Sequence, residues 1–108
     1  MKEQKQWALE AIRQQAGTFC ALSDTIWEYA ELSLKEFRSA QEYARVLAEL
    51  GFTVQTGLCG MPTAFSGSYG SGRPIIGILG EFDALSGLSQ KAAVARKEEL
   101  VHGGAGHG

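Results

Sequence analysis

Glycine divides this chain into two unlike halves. Of its 14 glycines, only Gly17 lies in residues 1–50, and the other 13 fall from Gly51 onward. Inside a helix or strand, glycine costs roughly 0.5–1 kcal/mol relative to alanine. The first half is therefore free to be helical, while the second is punctuated into short extended pieces and turns. The last six residues, Gly103-Gly104-Ala105-Gly106-His107-Gly108, hold four of the glycines. A mobile terminus gains nothing from glycine, so this run is expected to lead on into further chain. The 108 residues supply material for one small domain and not for two independent cores.

Ten basic and twelve acidic residues leave a formal net charge of −2. That balance gives no electrostatic reason to expect nucleic acid or an anionic membrane as a partner. The apolar runs are a few residues long, far short of the ~20 that span a bilayer. Met1-Lys2-Glu3-Gln4-Lys5-Gln6 leads into Trp7-Ala8-Leu9 without the unbroken apolar core of a signal peptide, so a cytoplasmic location is expected. Cys20 and Cys59 are the only cysteines, and they read as two isolated buried thiols in preference to one disulfide.

Apolar residues at Ala8, Ala11, Ile12, Phe19, Leu22, Ile26, Tyr29, Ala30 and Leu34 follow three-and-four spacing and predict helix over residues 3–34. Gly17-Thr18 interrupts the pattern. Thr25 and Glu28 have the spacing of a capping box, which allows either one long helix or two nearly collinear ones. Ser39 and Glu42 form a better box, with Ala40, Tyr43, Ala44, Leu47 and Leu50 lining one face behind it. Gly51 supplies the left-handed residue that ends this helix. Helices are thus expected over about 3–50, strands over about 52–80 and a glycine-rich loop over 84–108.

From Phe52 the period changes to two. Phe52-Thr53-Val54-Gln55-Thr56 alternates as a half-buried strand does, and Thr63–Tyr69 is a second strand candidate. Gly67, Gly70 and Gly72 fit a tight hairpin turn better than a phosphate cradle, because Arg73-Pro74 stands where a P-loop needs lysine followed by serine or threonine. Pro74-Ile75-Ile76-Gly77-Ile78-Leu79-Gly80 is short, continuous and rich in isoleucine, as a strand buried on both faces is. Residues 92–100 suit either a short helix or a loop. The expected class is α/β, with N-terminal helices followed by strands and the helices layered on one face of a sheet. Such a strand needs a second covering layer, and little chain remains to provide it.

Candidate chemistry gathers at Gly80-Glu81-Phe82-Asp83. Glu81 and Asp83 lie just past the C-terminal end of the most apolar strand, where ligands sit in open α/β sheets, and alternation points both to one side. Paired carboxylates hold divalent cations or shift one another's protonation; the plain alternative is a solvated strand end. His102 and His107 are the only histidines. Flanked by glycines, they can ligate zinc, but with no cysteine or acidic residue inside the tail a tag-like or disordered end is the better reading. Glu28, Glu31 and Glu42 read as exposed helix positions with no special role.

Gly80-Glu81-Phe82-Asp83-Ala84-Leu85-Ser86-Gly87-Leu88-Ser89-Gln90, preceded by Met61-Pro62-Thr63-Ala64-Phe65, resembles the zinc-dependent aminoacylase and carboxypeptidase family of amidohydrolases. That family also contains the indole-acetyl-amino-acid and hippurate hydrolases. Ser23–Leu32, Glu36–Ala40 and Leu50-Gly51-Phe52 resemble its entry helices and helix-to-strand turn. The resemblance implies a partial three-layer sandwich from a catalytic domain that carries two divalent metal ions, zinc or manganese. It also implies cleavage of the amide bond of an N-acyl amino acid or dipeptide, particularly an acyl-glutamate, with metal-bound hydroxide as nucleophile and a downstream glutamate as general base. Homodimerisation is tied to a smaller inserted domain.

Carried over residue by residue, Asp83 matches the aspartate of the family's His-x-Asp strand-end motif, which orients a metal-ligating histidine. Glu81 stands where that histidine would be. His107 matches the histidine just ahead of a Cys-Gly-His-Asn segment whose cysteine and histidine bind metal. Ser86 replaces a usual proline. Asp83, Glu81 and His107 are therefore the candidate catalytic-site residues, and the metal ligands are expected beyond residue 108. The 108 residues alone are expected to be inactive, to bind no metal stably and to be marginally stable. Two alternatives remain: a free-standing binding module, and a small metal-binding domain using Glu81, Asp83, His102 and His107. Nothing in the sequence ties the glycine tail back to the strand end, which counts against the latter.

Overall fold

A computed structural model describes residues 1–108. Its elements are helix α1 (Lys2–Tyr29), helix α2 (Phe37–Glu49), strand β1 (Thr53–Thr56), a short 3-10 turn (Leu58–Gly60) and strand β2 (Phe65–Ser68). The class is mixed α/β, with a single two-stranded antiparallel sheet. Thr53 pairs with Ser68 and Thr56 with Phe65, and the hairpin packs on α2.

Helix α1 is continuous through Gly17, and Thr25 does not open a second helix. Its hydroxyl instead donates back to the Ala21 carbonyl at 2.8 Å. The helix stops at Tyr29, five residues before the periodicity ends, because Ala30 turns left-handed with φ 45°. The segment that follows is occupied by tertiary pairing: the Glu31 carbonyl accepts the Ala84 N–H at 2.8 Å, and Leu32 forms a parallel bridge with Ala84. Ile26 is the one buried residue of α1, so the face predicted along the whole helix packs only near its C-terminal end.

The end of α2 forms as its sequence predicts. Gly51 adopts φ 91°, its N–H bonds the Ala48 carbonyl, and the Phe52 N–H bonds the Leu47 carbonyl. These are the paired bonds of a Schellman motif. The start of α2 differs from expectation. Ser39 is fully buried and lies within the first turn, with Glu36 as the capping position. Glu42 pairs with Arg45 instead. The orphan N–H groups are taken by Glu31, whose carboxylate accepts from Ser39 N–H at 2.7 Å, Ser39 hydroxyl at 2.7 Å and Arg38 N–H at 3.2 Å. Burial pushes the Glu31 pKa up, but the hydrogen bonds from Ser39 and Arg38 and the nearby Arg38 guanidinium outweigh it and hold the group below the ordinary range. Arg38 also lies 3.9 Å over the Tyr29 ring. Glu31 is thus a structural cap rather than an idle surface carboxylate.

Beyond Phe52 the two short strands form where alternation places them. Gly70–Gly72, read as the turn into a third strand, joins no hairpin, because no strand follows it; the turn between β1 and β2 is a different one. It lies at residues 57–64, where Gly57, Cys59 and Gly60 all have positive φ. Residues 75–80 form no strand, and their backbone takes part in no ladder. Ile75, Ile76, Ile78 and Leu79 are 79%, 82%, 94% and 91% exposed. An apolar run registers a tendency to be buried, but a strand also needs a neighbour's N–H and C=O groups, and no other segment offers them here. Residues 92–100 form turns without a helix. Both cysteines are free, and both are exposed rather than buried.

The glycine-rich tail is tied down. Leu85 and Gly106 exchange two backbone hydrogen bonds of 2.9 and 3.0 Å, Ser89 N–H bonds the Gly104 carbonyl at 3.0 Å, and Gly108 N–H bonds the Leu88 carbonyl at 3.2 Å. Buried Ser89 accepts the Val101 N–H on its hydroxyl at 2.9 Å. A Cβ on Gly106 would lie 2.1 Å from the Leu88 oxygen and 2.7 Å from Ser89 Cα. Glycine is required there for close backbone approach, not for mobility. No helix is long and apolar enough to cross a membrane.

Candidate functional site

The site forms where the end of α1, the middle of α2, residues 81–82 and the tail converge. Phe19, Leu22, Ser23, Ile26 and Trp27 recur at three-and-four spacing (19, 22, 26 and 19, 23, 27), so they share one face of α1. Tyr43 of α2 stacks at 5.2 Å between centroids on Phe65 of β2, and Phe82 lies 6.1 and 5.6 Å from those two rings. This tilted trio has the spacing of favourable aromatic contacts and holds Phe82 against the helices. Between the α1 face, Tyr43 and Phe82 lies a cleft of about 510 Å³, whose lining also includes Glu81 and His107.

Two of the three candidate residues therefore line one cleft, although 26 positions separate them in sequence. Glu81 arrives on the segment that the aromatic trio anchors, and His107 arrives because Gly106 pairs with Leu85. Asp83 is half-buried and lies outside the cleft lining. Strand alternation, which placed it beside Glu81, does not apply to a segment that is not a strand. His102 is exposed and pairs with Glu99 at 2.8 Å, away from the cleft.

His107 carries an unusual feature. Its Nε2 is buried and has no hydrogen-bond partner. Buried polar groups are nearly always paired, and an unsatisfied one costs about 1–3 kcal/mol. An uncommitted imidazole nitrogen in a cleft that a carboxylate also lines has the chemistry to donate or accept a hydrogen bond or to bind a cation.

The donor set does not make a metal centre. No group of three His, Cys, Asp or Glu side chains comes together anywhere in the chain, whereas structural and catalytic zinc sites use three or four protein ligands. The proposed four-residue set of Glu81, Asp83, His102 and His107 is not assembled, and the two divalent ions that the family resemblance implies do not fit the residues present here.

Sequence reading missed Glu31 and Ser89, each of which acts through tertiary contacts. It also took the tail as free. One available signal was the Gly104-Ala105-Gly106 pattern, since alternate glycines permit close backbone pairing as well as flexibility.

The unit is mixed α/β and brings a carboxylate and a histidine to the lining of one cleft. No family model matches the chain, and no solved structure matches it. Among curated proteins, the chain is 43% identical over 101 residues to a subunit of the p-aminobenzoyl-glutamate hydrolase of Escherichia coli (strain K12), across 94% of its own length. It spans 20% of the length of that relative.

Proposed function

We propose that this chain is the N-terminal part of the catalytic domain of a metal-dependent amidohydrolase that cleaves the amide bond of an N-acyl amino acid, with an aminobenzoyl-glutamate-like compound as substrate. The observation that carries this reading is the 43% identity sustained over 94% of the chain. On this reading the protein is cytoplasmic, and residues outside the 108 complete a three-layer sandwich around the exposed Ile75–Leu79 run. They also bring most ligands for two zinc or manganese ions, together with the smaller domain through which the protein dimerises. This chain contributes the apolar cleft, the Glu81 carboxylate and the uncommitted His107 imidazole, with Asp83 close by in the chain.

A chimera tests it. The matching 101-residue segment of the Escherichia coli relative is replaced by this chain, and release of p-aminobenzoate from p-aminobenzoyl-glutamate is followed. The chimera should be active, and His107→Ala within it should lower the rate about 10–100-fold, as loss of a group supporting a metal site does. A folded chimera without activity, judged by its thermal transition, refutes the reading. So does chelator-sensitive hydrolysis by the 108 residues alone.

A further inference from the structure

We propose that Gln90 is a positioning residue of the cleft: its carboxamide folds residues 91–98 into a closed loop and thereby delivers the tail that carries His107 in one fixed register. The inference deepens the functional reading above and rests on His107 belonging to the site.

Both ends of this half-buried side chain are engaged. Its Oε1 accepts the Glu98 N–H at 3.0 Å, and its Nε2 donates to the Arg96 carbonyl at 2.9 Å and the Lys91 carbonyl at 3.2 Å. A backbone bond of 2.8 Å from Lys91 N–H to the Glu98 carbonyl closes the same loop. A carboxamide offers donor and acceptor at once, whereas a carboxylate cannot donate and a hydrocarbon does neither. Glu98 adds ion pairs to Lys91 and Arg96. Those two basic side chains are 45% and 76% exposed, and exposed pairs contribute little. The weight of the closure therefore falls on Gln90.

The closure reaches beyond its own loop. Ser89, next to Gln90, accepts the Val101 N–H on its hydroxyl and gives its own N–H to the Gly104 carbonyl. Gln90 thus holds the chain at residues 96–98, just ahead of Val101, and the tail has only to fold back along residues 85–89. With the loop open, the tail would find that path only at the added entropic cost of closing a longer segment. His107 then lies between two anchors, Gly106 on Leu85 and Gly108 on Leu88. Every one of these contacts is internal to the chain, so none depends on what covers its outer faces.

Amide exchange on the 108-residue chain tests the positioning without reference to activity. Gln90→Leu should lower protection at Val101, Gly106 and Gly108 at least about fivefold, roughly the worth of one net hydrogen bond, while α2 keeps its own. Gln90→Glu, which keeps the shape and loses the donor, should do the same. Glu98→Gln, which removes the ion pairs alone, should have a smaller effect than Gln90→Leu. The His107 imidazole resonances should differ from those of fully exposed His102 in the parent chain and move towards them in Gln90→Leu. In the chimera, Gln90→Leu should lower kcat about tenfold, the lower end for a group supporting a metal site. Added to His107→Ala it should cost nothing more, because a residue acting through the imidazole has no effect once that group is gone. Unchanged tail protection in Gln90→Leu, an equal loss within α2, a Glu98→Gln effect as large as that of Gln90→Leu, unmoved His107 resonances, or additive losses in the chimera would each overturn the proposal. The exchange and imidazole readings decide it even where the chimera is inactive and the hydrolase reading falls.

Discussion

Replacing Gly106 by alanine tests whether the tail is a built part of the cleft. The new methyl carbon would stand 2.1 Å from the Leu88 oxygen, 2.6 Å from its carbonyl carbon and 2.7 Å from Ser89 Cα. All three are backbone atoms, so no side-chain rotation relieves the overlap. The tail must move away from residues 85–89, and with it go the two bonds between Leu85 and Gly106, the Ser89–Gly104 bond and the Gly108–Leu88 bond. At about 0.5–1.5 kcal/mol net for each backbone hydrogen bond, the loss is about 2–6 kcal/mol. Even the lower figure is about a thirtyfold change in an opening equilibrium, at about 1.4 kcal/mol per factor of ten. Amide hydrogen exchange reads this directly, since Leu85, Ser89, Gly106 and Gly108 each donate one of the four bonds. Their protection should fall at least about thirtyfold in Gly106→Ala, while amides within α2 keep theirs. Gly80→Ala, where an added Cβ meets nothing within 4 Å, serves as the control and should change nothing. Unchanged protection at Leu85 and Ser89 in the Gly106 variant would refute the close-approach argument, and the account of how His107 reaches the cleft would fall with it.

Three further outcomes follow from the same geometry. Glu31→Ala removes the acceptor for two N–H groups and for the buried Ser39 hydroxyl, so urea denaturation should show a loss of about 1–3 kcal/mol. Because the Glu31 pKa lies below its ordinary value of 4.5 in the folded chain, its stabilisation is complete above about pH 4.5 and is lost as pH falls through the lowered value; in Glu31→Gln that part of the acid sensitivity should disappear. Gly67→Val places its Cβ 3.0 Å from Leu47 Cδ1 and 3.4 Å from Phe52 Cδ1. It should cost about 1–3 kcal/mol by overpacking, seen as a lower thermal midpoint, with Gly67→Ala milder because the Leu47 methyl can give way. Calorimetric titration of the 108-residue chain with zinc should show no stoichiometric site, and tight binding lost in His107→Ala would contradict the donor count.

What could be read from sequence was what is decided locally. Helix α2, its Gly51 stop and the alternation of β1 depend on residues within a few positions of one another, and all three are present. The start of α2 was misread because two chemistries compete for the same N–H groups. Ser39 has the spacing of a cap, but Glu31 brings a full negative charge to the helix N-terminus, where it is favoured. The Ile75–Leu79 run was misread for a different reason. Its composition records the surroundings that the segment suits, and only a partner strand can turn that into structure. The cleft was half legible: Glu81 and His107 were both identified, while their sharing of one cleft depends on pairing between Leu85 and Gly106, which no period in the sequence encodes.

That pairing also explains why a cap on α2 bears on the candidate site. Glu31 acts at two levels at once. Its carboxylate fixes the first turn of α2, while its carbonyl takes the Ala84 N–H. Ala84 is 2% exposed, and its neighbour Leu85 holds Gly106, the residue before His107. Backbone contacts thus run from the helix frame to the imidazole, through Glu31, the buried Ala84 and Gly106. His107 sits at the far end with a buried nitrogen that nothing in the chain satisfies. Four backbone hydrogen bonds thus position the tail, and the imidazole at its end lines the same cleft as Glu81.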